Sequence, residues 1–61
     1  MPLTQKELFA IEDALGHEAL LVKKFRSYAS TAQDPAIKSQ AEQIAERHKQ
    51  HFDTLMGHLY S

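Results

Sequence analysis

The chain of 61 residues has no cysteine, only two glycines and two prolines, and no excess of charge of either sign. Without cysteine there is no disulfide framework, no thiolate metal site and no cysteine nucleophile. Few glycines and prolines leave room for long regular elements. Seven Lys and Arg oppose eight Asp and Glu, a formal net charge of −1. A nucleic-acid interface needs a basic patch or stripe, and a membrane-surface helix needs a cationic polar face. Neither is present, so no nucleic-acid or membrane partner is expected. No apolar run approaches the ~20 residues that cross a bilayer, and no secretory apolar segment follows the start. Gly-rich phosphate loops, nucleophile elbows and His-Glu-x-x-His motifs are missing too. What these absences leave is one small domain, expected to be cytoplasmic, with no catalytic set to nominate.

What is there is helical periodicity. Thr4 with Glu7 three residues later forms a capping-box signature, flanked by Leu3 and Leu8 as a hydrophobic staple. Pro2 falls outside this start. Helix one is predicted over about residues 4–32. Its interior is interrupted only by Gly16, which costs about 1 kcal/mol relative to alanine. Asp34 is a good N-cap and Pro35 suits the first helical position, so helix two is predicted over about residues 35–59. Gly57 weakens its last turn. A connection this short makes the two helices antiparallel neighbours.

One face of helix one carries Leu8, Ile11, Leu15, Glu18, Val22, Phe25 and Ala29 at alternating steps of three and four. Glu18 interrupts an apolar row. A carboxylate there is desolvated and needs a partner, because an unpaired buried charge is too costly to keep. The facing row on helix two reads Ile37, Ala41, Ile44, His48, Phe52, Leu55 and Leu59, with His51 beside it. Positions at one level of an antiparallel hairpin have a constant sum. Leu8 with Leu59, Ile11 with Leu55, Leu15 with His51 or Phe52, Val22 with Ile44, Phe25 with Ala41 and Ala29 with Ile37 satisfy that rule, and so does Glu18 with His48.

Glu18, His48 and His51 are therefore the candidate metal ligands. The i, i+3 spacing lets both imidazoles converge on one point, about 60° apart around the helix. Imidazole and carboxylate together suit a divalent ion, zinc or iron first. The same residues have a plainer use, since one buried polar layer fixes register and pairing in a bundle. Two apolar stripes cannot bury each other completely in a lone hairpin. The expected fold is an all-α antiparallel hairpin that dimerises into a four-helix bundle, with self as the partner, as homodimer or tetramer.

The remaining polar residues carry less. His17 falls at the edge, within reach of Asp13 one turn earlier, and His58 lies near the weak end of helix two. Glu12, Glu42, Glu46, Lys23, Lys24, Arg26, Arg47 and Lys49 read as outer-face charges. Phe9, Gly16 and Leu20 lie opposite Glu18, where the glycine permits close approach by a further helix.

A hairpin with Glu in its first helix and an i, i+3 histidine pair in its second resembles half of a ferritin-like bundle. That superfamily takes a Glu from one helix and Glu-x-x-His from the next. The resemblance implies Glu18 as the first ligand and His51 as the motif histidine, with His48 where the second Glu is expected. The alternative alignment takes His48 as the motif histidine and puts Ala45 at the Glu position. Either way the bridging carboxylate is missing, so metal binding is implied rather than ferroxidase or oxygenase chemistry. The run from Leu3-Thr4-Gln5-Lys6-Glu7-Leu8 to the ending Gly57-His58-Leu59-Tyr60 is similar to short coat F-type proteins of spore-forming bacteria. These ferritin-like proteins imply an alternative role: a spore-associated, non-enzymatic assembly module whose polar layer specifies pairing.

Overall fold

A threonine and an aspartate start the two helices. Thr4 is extended; its hydroxyl accepts from the Glu7 amide at 3.1 Å, and the Thr4 amide donates to the Glu7 carboxylate at 2.9 Å. Two of the amides that a helix start leaves without intrahelical partners are thus satisfied. Asp34 accepts from the Ala36 amide at 2.8 Å, and Pro35 occupies the first turn. The computed structural model describes residues 3–60, so Pro2 lies outside the described residues. Helix α1 spans Gln5–Thr31 and helix α2 spans Pro35–Leu59. The helix starts, the turn and the element order all follow the sequence expectation.

The short link through Ala32, Gln33 and Asp34 folds α2 back along α1. Glu18 meets His48 at mid-length, while Leu3, Glu7, Ala10, Ile11 and His58 line one shallow hollow at the open end. These two meetings make the pair antiparallel. The hairpin is a rod of 46 × 16 × 10 Å with a radius of gyration of 14.3 Å. A compact globule of this length would have about 10.5 Å. No described helix is long and apolar enough to cross a membrane.

The closest packing is made by the smallest side chains. Among the described residues only Ala29, Ala41 and Ala45 are buried, at 4%, 6% and 3% exposure. Leu8, Ile11, Leu15, Val22 and Phe25 of α1, with Ile44, Phe52, Leu55 and Leu59 of α2, are half-buried around them. The separation of two helices depends on the side chains at the contact, and alanines let the backbones approach.

This corrects the expected face of helix two in two places. Ala45 belongs at its centre, and Ile37, expected opposite Ala29, is 55% exposed. The centre of contact falls between Ala41 and Ala45, about 20° to 60° around the helix from His48 and on the side away from His51. One contact falls outside the pairing by level. Phe25, expected opposite Ala41, stacks on His48 with ring centroids 6.0 Å apart. Side chains on a helix lean toward its N-terminus, so in an antiparallel pair the facing tips meet later in both helices than the Cα levels suggest.

Two stability changes follow, both read by urea denaturation. Thr4→Ala lowers stability by about 1 kcal/mol through loss of the cap. Ala45→Leu forces a large side chain into the closest contact and lowers it by about 1–3 kcal/mol.

Candidate metal centre

The ladder of α1 puts Glu18 midway along the rod, where α2 presents His48 and, one turn on, His51. The His48 Nδ1–H donates to Glu18 Oε2 at 2.8 Å. His51 Nδ1 approaches the same oxygen at 3.4 Å. A carboxylate only accepts, so the contact with His48 requires a proton on Nδ1. Both imidazoles converge on one carboxylate oxygen, as the sequence expectation required.

Burial is uneven across the three. The Glu18 side chain is 16% exposed, His48 22% and His51 61%. His51 lies outward because the contact axis is centred on Ala41 and Ala45, across the helix face from it. Phe25 is a site residue the sequence reading did not single out. It sits two turns after Glu18 on the same face and stacks nearly parallel on the His48 ring, at 17°. The His51 ring meets His48 edge-on from another direction, at 5.6 Å and 82°. The orientation of His48 is thus fixed by one hydrogen bond and two ring contacts. The ladder spacing of Phe25 from Glu18 was the available signal.

The Glu18 carboxyl is held below its ordinary value of 4.5, chiefly by the His48 hydrogen bond. Partial burial pushes the other way, and positive charge on His48 and His51 adds to the lowering.

Two of the three donor separations lie near the spacing of metal ligands. Metal–ligand bonds of about 2.0–2.2 Å place neighbouring donor atoms about 3.0–3.5 Å apart in octahedral or tetrahedral sets. One donor atom from each of Glu18, His48 and His51 lies within 4.8 Å of the others, and the two contacts to Glu18 are 2.8 and 3.4 Å. His17 is exposed, and the Asp13 contact open to it is not formed. His58 lies toward the open end, beside Leu3 and Ile11. Neither joins the cluster.

The linkage to pH has a definite sign. Because the folded Glu18 value lies below 4.5, its contribution is present above that pH and lost as pH falls through the folded value. The stability difference between the natural chain and Glu18→Gln therefore shrinks as pH falls below about 4.5, as thermal melts at stepped acid pH will show. Comparisons with protein-family models, curated proteins and solved structures give no match, so the functional reading rests on this cluster.

Proposed function

We propose that the chain is a small metal-binding protein in which Glu18, His48 and His51 hold a divalent ion, zinc or iron, inside a homodimeric four-helix bundle. The observation that carries this reading is the convergence of two imidazole nitrogens on one carboxylate oxygen. A carboxylate and two imidazoles with remaining positions open suit these ions. The His48 Nδ1 proton and the ion compete for the same space, so loading through that nitrogen moves the proton to Nε2; an imidazolium has no free nitrogen to offer, so loading weakens at low pH. No second carboxylate joins the described cluster, which favours holding an ion over two-metal oxygen chemistry. The resemblance to half of a ferritin-like bundle points the same way.

The dimer is supported by surface left uncovered. The single chain exposes 4862 Å². A folded monomer of its 6.9 kDa mass exposes about 4000 Å². The excess of about 900 Å² is comparable to the ~800 Å² each partner covers in a standard interface. Tyr28 and Ile37 are 50% and 55% exposed. By helical angle both fall toward the flank that carries His51, not the flank of Ala19, Val22 and Phe52. A second hairpin laid on that flank covers them and closes the site against water.

A second reading has its own observation. The 2.8 Å hydrogen bond satisfies the Glu18 carboxylate without any ion, as a polar layer that only specifies pairing in an assembly module would. Metal analysis separates the two on protein made without a histidine tag. The metal reading predicts a stoichiometric divalent ion that is lost in Glu18→Gln and in His48→Ala and kept in His17→Ala. It also predicts a melting temperature that falls in chelator. Metal-free protein that cannot be loaded with zinc or ferrous iron, melting alike with and without chelator, contradicts it in favour of the pairing layer.

A further inference from the structure

The outward side of α1 carries a second ladder that the hairpin leaves unused. Phe9, Asp13, Gly16, Leu20, Lys23 and Ser27 follow one another by alternating steps of four and three. All lie within about 40° of the direction opposite Glu18. The row faces solvent: Phe9 is 54% and Leu20 62% exposed, and the others are exposed as well. Gly16 has no role within the hairpin, because a Cβ built there meets nothing within 4 Å. A mid-helix glycine with open space around it is a position where another backbone can come close.

The row is self-complementary when reversed. Gly16 and Leu20 are equidistant from Glu18 along the chain, and so are Asp13 and Lys23, Glu12 and Lys24, and Phe9 and Ser27. Two copies of α1 laid antiparallel with their centres at Glu18 place Leu20 of each beside Gly16 of the other. The acidic pair Glu12 and Asp13 of each copy then lies along the basic pair Lys23 and Lys24 of the other. Glu12 falls on the same flank as the opposing Lys23, and Asp13 on the same flank as the opposing Lys24. All four charged residues are exposed, and none forms an ion pair within the described hairpin. Parallel pairing in register would instead set like charges against like and glycine against glycine.

We propose that this face is an isologous seam between two copies of the chain, packed antiparallel through Leu20 and Gly16 and aligned by the Glu12–Asp13 and Lys23–Lys24 pairs. The occupant is a second copy because large meets small and acid meets base at matched levels of one helix. The seam lies on the opposite side of α1 from Glu18, so it does not depend on what the Glu18 cluster holds.

Light scattering on the full chain tests it, with circular dichroism and bound metal recorded for every variant. Gly16→Leu fills the space that Leu20 of the other copy needs, and the open surroundings let the hairpin itself accept it. The pair Lys23→Glu with Lys24→Glu sets four like-charge contacts along the seam. Adding Glu12→Lys and Asp13→Lys to that pair restores complementarity. With both interfaces formed and their two-fold axes perpendicular, so that the set closes, the natural chain has the mass of four 6.9 kDa chains. Gly16→Leu and the lysine reversal each halve that mass at unchanged helix content and metal content, and the four-residue swap restores it. A natural chain of two copies that falls to one in these variants also supports the seam, while overturning the separate dimer on the His51 flank. Unchanged mass in Gly16→Leu and the lysine reversal overturns the seam, and so does a swap that fails to recover mass while keeping its helix content.

Discussion

Everything at the centre of the hairpin depends on where Glu18 sits. A carboxylate in the groove between two helices loses much of its water and must gain donors in return. Only residues on the opposing helix at mid-height supply them, and His48 does so at 2.8 Å. That requirement narrows the alignment of α2 on α1, because a slide of one turn that brings Ile44 and Ala45 to Glu18 would strand the carboxylate against apolar neighbours. The polar contact therefore sets register, while the alanines set how close the helices come.

The parts of this fold that were legible in the sequence are those governed by local chemistry. Thr4 with Glu7 and Asp34 with Pro35 mark their helix starts through hydrogen bonds within a few residues, and the structure forms both. The meeting of Glu18 with His48 was legible because a buried polar residue needs a partner. Less legible was the axis of contact. A hydrophobic ladder rewards large side chains and so centred α2 on His48, yet closest approach is decided by small ones, which put Ala41 and Ala45 there. From that one displacement follow the exposure of His51 and of Ile37. Pairing by Cα level likewise ignored side-chain lean, and so missed the stacking of Phe25 on His48.

The hairpin leaves much of its apolar surface uncovered. Its rod shape, with three alanines as the whole buried set among the described residues, leaves the larger apolar side chains only partly covered. Each uncovered region has its own character. The flank bearing His51 combines apolar side chains with the Glu–His cluster, whereas the back of α1 combines a glycine gap with balanced charges. Association through the first would dry the polar layer and strengthen its electrostatics, since charge interactions grow as the surrounding dielectric falls. Association through the second would leave that layer untouched. The proposed metal loading and the proposed seam would thereby be separable in one short chain.

X-ray absorption at the metal edge of zinc-loaded protein tests the central claim most directly. The account predicts two imidazole nitrogens and one carboxylate oxygen at about 2.0–2.2 Å, with the multiple-scattering pattern of imidazole reduced in His51→Ala and no zinc retained when His48 is replaced as well. A shell of oxygens alone, or an imidazole pattern that survives both replacements, would contradict it.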